Sequence, residues 1–274
     1  MPDLTIKPNA GSGNKLIFQD QAGGAVLTTA DSGATIANAS LTAPALGTPT
    51  SGALTNCTFP GKLLASVQTF DTAGTGYTWT KPAGVTAVLV YITGGGGSGG
   101  KHGCGSNVSA RSGGGGAGGT AIKWITSGLG STESITIGAG GAGITGAATG
   151  NAGGTSSFGS HCSATGGAGG EHGCAGAVEG GASGVGSSGT INLEGAPGGN
   201  GAEPDNHSNH KKQSGGNGGE SYWGGGGRGS TGWDTSVVSE AGVKGSGGGG
   251  GQAGQNGYTS GAGGTGYCVV WEYK

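Results

Sequence analysis

Charged residues, proline and long apolar runs are all scarce in this chain. Only 9% of residues are charged, and 12 Lys and Arg against 14 Asp and Glu give a net charge of −2. A nucleic-acid-binding protein needs a basic face to neutralise phosphates, and twelve scattered cations do not supply one. No apolar run approaches the roughly 20 residues that span a bilayer, and the first ten residues show no signal-peptide pattern. We therefore expect no nucleic-acid partner, no membrane insertion and no secretory export.

Glycine, in contrast, is abundant, with 63 of the 74 glycines lying from Gly94 onward. The lack of a strict Gly-X-Y period and the presence of only eight prolines exclude collagen. A disordered low-complexity tail is the alternative, but islands of β-branched and aromatic residues interrupt the glycine runs. These islands are 86–93, 120–126, 134–138 and 266–273. They predict an ordered, mainly β domain.

The glycine runs need a source of order other than side-chain burial. Fixing 63 glycine backbones costs on the order of 100 kcal/mol, at about 1–2 kcal/mol for each residue. Polyproline II helices point their N–H and C=O groups outward, so neighbouring helices without Cβ atoms can bond each other closely. The sequence predicts a β-sandwich-like domain with packed polyproline II glycine helices and almost no α-helix. Its displayed loops would be 101–112, 161–179, 203–214 and 220–244.

The N-terminal part has a different composition. Residues 1–60 are rich in Thr, Ala, Ser and Asn, with short apolar alternations such as AVLTTA. They contain too few large apolar residues for a good monomeric core. We expect an extended or β segment, 1–60, that is ordered by intertwining with copies of itself as a homotrimer, followed by a glycine-rich domain, 61–274.

Aromatic residues within glycine-rich surroundings are the first candidates for binding. Tyr222, Trp223 and Trp233 have few neighbouring side chains that could bury them. Exposed rings suit stacking on a sugar or gripping a protein loop, but a small satellite core is an equally good interpretation. The polar residues that would assist them are Asp205, Asn206, Arg228 and Asp234. Trp79, Trp124 and Trp271 lie in strand-like segments and are predicted to be core residues.

Basic residues of the displayed loops complete the predicted receptor-binding set. The one basic cluster is His207, His210, Lys211 and Lys212. It is interpreted first as a solvated loop, with contact to an anionic surface polymer as the alternative. The first displayed loop adds Lys101, His102 and Arg111.

The five cysteines are an odd number and are expected to be reduced thiols. Three His/Cys pairs occur, at 102–104, 161–162 and 172–174. Their spacing matches no standard zinc motif, so thiols packed as small hydrophobes are favoured over a metal site. A site on a symmetry axis would need no local spacing and stays open. We predict no metal and no cofactor.

No catalytic motif is complete. Gly95, Gly100 and Lys101 match a phosphate-binding loop, but His102 replaces the required Ser or Thr and no helix can follow. The carboxylates are scattered, and none forms a pair at a recognisable spacing. We therefore predict that the protein is not an enzyme.

Several segments resemble bacteriophage tail fibre proteins. GNKLIFQDQAGGAVLTTADSGATI (13–36) and ALGTPTSGALTNCTFPG (45–61) are similar to their N-terminal and shaft segments. The ordered series WTKPAGVTAVLVYI, ITIGAGGAG, GGTSSFG and CVVWEY is similar to the glycine-rich domain that closes many such fibres. The same type of domain occurs in some receptor ectodomains, so the N-terminal segments carry the phage expectation.

This resemblance implies a homotrimeric fibre tip or adhesin on the virion tail, assembled in the host cytoplasm. Its N-terminal segment would bind other virion tail proteins, and its loops would recognise a host-cell surface glycan or outer-membrane protein. The alternative is a purely structural virion fibre or decoration protein without receptor binding. An ice-binding protein is the weakest alternative, because loops interrupt the flat Thr or Ala faces that it would need.

Overall fold

A computed structural model describes 17–19, 22, 25–30, 33–36, 62–102, 111–173, 178–202, 215–231, 239–251 and 259–274. The chain divides into two compact units, Met1–Thr58 and Phe59–Lys274. The described residues form fifteen β-strands and no helix, so none of them belongs to a helix that could cross a membrane. The prediction of a mainly β protein is confirmed.

In the first unit, three short strands form an antiparallel sheet in the order β1-β2-β3. They are β1 (Ile17–Gln19), β2 (Ala25–Ala30) and β3 (Gly33–Ile36). Leu27 is the Cα partner of both Phe18 and Ile36, so apolar positions align across all three strands. The apolar alternation of AVLTTA thus coincides with the central strand of this sheet.

The second unit contains two five-stranded antiparallel sheets and one short strand pair. Its strands are β4 (Leu64–Phe70), β5 (Gly74–Thr80), β6 (Ala87–Thr93), β7 (Arg111–Ser112), β8 (Thr120–Ile125), β9 (Thr132–Ile137), β10 (Ser156–Phe158), β11 (Cys162–Ala164), β12 (His172–Gly173), β13 (Gly186–Ser187), β14 (Ile191–Leu193) and β15 (Tyr267–Tyr273). Sheet A has the order β14-β8-β6-β15-β4 and sheet B the order β13-β11-β10-β9-β5, while β7 pairs with β12. All four predicted islands contain strands of these sheets.

The inward faces of sheets A and B form one hydrophobic core. Alternate residues of β6, Val88, Val90 and Ile92, are fully buried and belong to the same cluster as Ile135 and Phe158 of sheet B. This period of two is expected where each sheet buries one face. The core therefore fixes the two sheets against each other as a sandwich.

The core prediction holds for one of the three strand tryptophans. Trp79 is fully buried, as predicted, but Trp124 and Trp271 are 38% and 37% exposed, so the prediction for those two is wrong. The reason is strand parity. Val270 and Glu272 point inward with 0% exposure, which places Trp271 between them on the outer face.

Glu272 is a carboxylate in the core that the sequence did not single out. It has 0% exposure and accepts hydrogen bonds from Trp79 Nε1 (2.6 Å), Gln68 Nε2 (2.6 Å) and the Ser66 hydroxyl. Buried polar groups are stable only when they are hydrogen-bonded in this way. The carboxylate thus ties the edge strand β4 and sheet B to the central strand β15.

The run 94–101 shows how the glycine region is ordered. Its successive N–H groups donate to three neighbouring runs in turn, and its C=O groups accept from three others. The acceptor runs are 113–119, 148–154 and 261–264, and the donor runs are 139–141, 165–171 and 245–251. A three-residue period of bonds between runs is the pattern of packed polyproline II helices. The run therefore has six neighbours around it.

Close packing explains why these positions are glycine. A Cβ on Gly96 would overlap the Ser246 carbonyl oxygen, and a Cβ on Gly97 would overlap that of Ala168. The obstacles are backbone atoms, which cannot rotate away as the end of a side chain can. Glycine is therefore required by contact between neighbouring backbones.

Two cysteines of the core are expected to be unreactive in the folded protein. Cys162 and Cys268 are free thiols in the core, as the sequence predicts. Burial raises the pKa of Cys162 to about 11 and that of Cys268 well above its ordinary value of 9.0. We expect iodoacetamide at neutral pH to leave both unmodified in the native protein and to modify both in urea, as read by peptide mass spectrometry.

The same shifts give stability a pH dependence. Unfolded thiols ionise near their ordinary pKa of 9.0, whereas the native Cys162 thiol keeps its proton until about 11. The native state then binds more protons, so the free energy of unfolding decreases as pH rises from 9 towards 11. A Cys162→Ala/Cys268→Ala variant should lose this part of the slope in urea titrations. An unchanged slope would contradict the assignment.

Candidate functional site: the distal end of the glycine bundle

The glycine runs alternate in direction between two ends of the bundle. At one end, the sandwich end, the runs join strands or tight turns, such as Ser221–Gly224, where Ser221 N–H bonds to the Gly224 C=O at 3.0 Å. The opposite end is called the distal end. Backbone hydrogen bonds join the ends of the runs there. In each of the following pairs the N–H of the first residue donates to the C=O of the second: Gly100 to Gly113 (2.9 Å), Gly113 to Glu171 (2.8 Å), Gly251 to Gly100 (2.8 Å), Ser230 to Gly250 (3.1 Å), Gly215 to Ser230 (2.9 Å) and Glu171 to Glu179 (3.1 Å).

The described residues at the distal end flank five segments that lie outside the described residues. The segments are 103–110, 174–177, 203–214, 232–238 and 252–258. These segments contain six glycines in 38 residues, whereas the run 94–101 contains six in eight. The glycine runs that flank these side-chain-rich segments therefore all terminate at one end of the bundle.

Most of the predicted receptor-binding residues lie outside the described residues or directly beside them. Eight of them lie in the segments outside the described residues: Asp205, Asn206, His207, His210, Lys211, Lys212, Trp233 and Asp234. Lys101 and His102 are the last described residues before one segment, and Arg111 is the first after it. Of these eleven predicted residues, the structure places three, Lys101, His102 and Arg111, at the distal end.

Lys101 and His102 are buried at the base of the distal end. Lys101 is 7% exposed, and its Nζ donates to the Thr145 carbonyl oxygen at 2.8 Å. Burial lowers the pKa of Lys101, and burial followed by the nearby His172 lowers the pKa of His102. Within a single chain these two side chains support the end of the bundle and do not project from it.

Arg111 is anchored through its backbone. It begins β7, where it pairs with Gly173 of β12, while Ser112 pairs with His172. The Ser112 hydroxyl also donates to the Gly251 carbonyl oxygen. This strand pair fixes the positions at which two distal segments leave the bundle.

Arg228 lines a cleft towards the distal half of the bundle. Its Nη2 lies 2.9 Å from Glu240 Oε1, and both side chains are exposed. The cleft has a volume of about 440 Å³ and is also lined by Asn200, Asn217 and Thr231. Asn200 Oδ1 accepts from Gly180 N–H at 3.0 Å and Asn217 Oδ1 from Gly229 N–H at 2.9 Å, so both amides are held in place. The cleft combines an Arg with two oriented amides.

Tyr222 and Trp223 lie at the sandwich end, away from the other predicted residues. Trp223 Nε1 donates to Thr93 Oγ1 at 2.8 Å, and its ring contacts Tyr267 at 5.0 Å and Tyr91 at 6.0 Å between centroids. The satellite-core interpretation therefore describes Trp223. The Tyr222 ring contacts the Trp223 ring at 5.0 Å between centroids, but the Tyr222 side chain is 52% exposed.

A second cleft opens beside Tyr222. It has a volume of about 410 Å³ and is lined by Tyr222, Glu194, Glu220, Thr120 and Leu193, among others. Glu194 Oε1 accepts from the Ser183 hydroxyl at 2.5 Å. Glu194 and Glu220 line the same cleft although they are 26 residues apart, and nothing in the sequence indicated that they would lie together.

Among the described residues, no group of three His, Cys, Asp or Glu side chains is placed to hold a metal ion. Cys104 and Cys174 of the H-G-C pairs lie outside the described residues. His161, of the third pair, has its Nε2 3.2 Å from Glu133 Oε1.

The family model for a glycine-rich domain matches residues 71–273. A search of curated proteins finds no match to this chain.

Proposed function

The chain belongs to the glycine-rich domain family, with the domain spanning most of its length, and we propose that it is a bacteriophage tail fibre adhesin. The resemblance of segments 13–36 and 45–61 to those of tail fibres supports the phage part of this proposal. In this proposal the distal end of the glycine bundle contacts a receptor on the host-cell surface. The receptor is a surface glycan or an outer-membrane protein. The observation that carries the proposal is that the described flanks of five side-chain-rich segments all lie at one end of a hydrogen-bonded bundle.

The scaffold suits such a role energetically. Each central run is bonded to six neighbours, so the points at which the segments leave the bundle are fixed. Binding loops on a rigid scaffold can vary in sequence without loss of the fold, and fixed anchor points reduce the entropy lost on binding. The distal segments contribute Trp233, Tyr258 and the cluster His207–Lys212, which provide both aromatic and cationic contacts.

The second part of the proposal concerns the first unit, which would attach the protein to the virion and hold it as a trimer. Its resemblance to fibre shaft segments supports attachment to other virion tail proteins and assembly as a homotrimer. The protein would then be located in the virion tail after assembly in the host cytoplasm. It would act by binding and not by catalysis.

The proposal predicts that distal segments, and not the sandwich, determine binding to host cells. A variant whose residues 203–214 are replaced by an equal length of Gly and Ser should bind intact host cells at least about tenfold more weakly, as expected when a hot spot is removed. The measurement is flow cytometry with fluorescently labelled full-length chain, together with inhibition of virus adsorption.

The matched control is the Asp71→Ala/Thr72→Ala variant, which changes an exposed loop of the sandwich. It should bind host cells as the wild type does. Narrower changes, Lys211→Ala/Lys212→Ala and Trp233→Ala, then separate cationic from aromatic contributions. If the wild type binds no cell that the virus infects, the adhesin proposal fails and a purely structural fibre is the better account.

A further inference from the structure

The outer face of sheet A carries an unusual set of exposed apolar side chains. One register row crosses four strands as Val67, Trp271, Leu89 and Trp124. Val67 is 44% exposed, and the two tryptophans are 37% and 38% exposed. No charged residue occurs in this row or in the next, which contains Ile122, Tyr91 and Val269. Exposed apolar patches of this kind mark binding surfaces.

The spacing of the two tryptophans is set by the sheet. Trp271 and Trp124 both pair with Leu89, from opposite sides, so they stand in the same row two strands apart. Two strand spacings are about 9.6 Å. Each ring of an extended sugar chain advances by roughly half of this distance, so the two tryptophans are spaced to stack on a ring and on the next but one. The Trp124 ring is supported by Tyr273 at 5.0 Å between centroids.

The Tyr222 cleft adjoins the same face. The Tyr222 ring lies 6.0 Å from that of Tyr91, in the second row of the outer face. Thr120 of β8 lines the cleft, and the same strand continues to Trp124, about 14 Å further along at 3.4 Å for each residue. An apolar ring surface and an acidic cleft are therefore continuous along one strand.

We propose that this face, comprising Trp124, Trp271 and the Tyr222 cleft, binds an extended polysaccharide of neutral or amino sugars. The aromatic rings would stack on the apolar faces of the pyranose rings. Glu194 and Glu220 would accept hydrogen bonds from sugar hydroxyls or from an ammonium group. The same two carboxylates disfavour uronic and other anionic sugars by like-charge repulsion.

This site is distinct from the distal end. It lies on the sandwich and at the sandwich end of the bundle, so it stands whether or not the distal end contacts a host receptor. A second copy of the chain is the competing occupant of an apolar sheet face. The ring spacing and the adjoining acidic cleft favour the polysaccharide.

The test is affinity electrophoresis of the full chain through gels that contain hydroxyethylcellulose, chitosan or, as the anionic control, alginate. We expect retardation by the neutral or the amino polymer and none by alginate. A Trp124→Leu/Trp271→Leu variant should lose affinity about tenfold, the usual effect of removing aromatic anchors. A Trp124→Tyr/Trp271→Tyr variant should retain most of it. Glu240→Ala, which removes an exposed carboxylate outside this face, should bind as the wild type does.

Tyr222→Ser, in an exposed turn, provides a second variant that leaves the sheet intact and should also weaken binding. Circular dichroism would confirm that each variant is folded. Failure of both polymers to retard the wild type, equal retardation by alginate, or full binding by the folded leucine variant would overturn the proposal. The proposal would also be overturned if analytical ultracentrifugation showed that the wild type self-associates and that the leucine variant does not.

Discussion

A Gly96→Ala variant is expected to be destabilised by about 3–5 kcal/mol or to fail to fold, because its Cβ would overlap the Ser246 carbonyl oxygen. The atoms around this position belong to the backbones of neighbouring runs, so the overlap cannot be relieved by the rotation of a side chain. In a helix interior the same substitution would stabilise the protein. Thermal unfolding followed by circular dichroism should show a decrease of about 10 °C or more in melting temperature.

Gly225→Ala is the matched control. A Cβ on Gly225 meets nothing within 4 Å, and the substitution also removes backbone freedom from the unfolded chain. It should change the free energy of unfolding by less than about 1 kcal/mol, in the stabilising direction. Equal stability of the Gly96 and Gly225 variants would show that the runs are not packed backbone against backbone.

A Glu272→Ala variant is expected to lose about 3–5 kcal/mol of unfolding free energy. The substitution removes the acceptor for the fully buried Trp79 Nε1, and also for Gln68 Nε2 and the Ser66 hydroxyl nearer the surface. Leaving buried donors without acceptors costs about 1–3 kcal/mol for each group that water cannot reach. Urea unfolding monitored by tryptophan fluorescence would measure the loss.

Two comparisons separate this effect from a general effect of charge removal. Glu272→Gln keeps one acceptor oxygen and nearly the same volume, so it should cost less than the alanine variant. Glu240→Ala removes an exposed partner of Arg228 and should cost no more than about 1 kcal/mol. If Glu240→Ala were as damaging as Glu272→Ala, the core hydrogen bonds would not explain the stability.

The sequence predicted the main elements of the glycine-rich domain, which are its strands and its packed glycine runs. Strand islands such as 86–93 and 266–273 combine β-branched and aromatic residues, and both form central strands of sheet A. Glycine runs without side chains could be ordered only by packing backbone against backbone, which is what the contacts of Gly96 show. These inferences depend on local composition and on general energetics, which a single sequence contains.

The arrangement of the runs could not be predicted in the same way. Gly97 bonds to Gly116, but its carbonyl accepts from Gly248, some 150 residues away. One glycine run looks like another, so the sequence does not indicate which runs are neighbours. For this reason the common position of the residues that flank the distal segments, and the separation of Tyr222 from that end, became visible only in the structure.

Strand parity was ambiguous for a related reason. The strand YCVVWEY has apolar residues at both odd and even positions, so alternation does not indicate which face is inward. Glu272 was the misleading residue, because a carboxylate normally marks the solvent face. Its three hydrogen-bond donors come from β4 and β5, about 200 residues earlier, and reverse that expectation.

The central claim is that the distal end of the bundle faces the receptor. Hydrogen exchange of the full chain, free and bound to isolated host-cell envelopes, tests it most directly. We expect slower exchange on binding in the distal segments and at their described flanks, such as Gly100, Gly215 and Gly251, with no change in β9 of sheet B. Slower exchange confined to the sandwich, or no change anywhere despite binding, would contradict it.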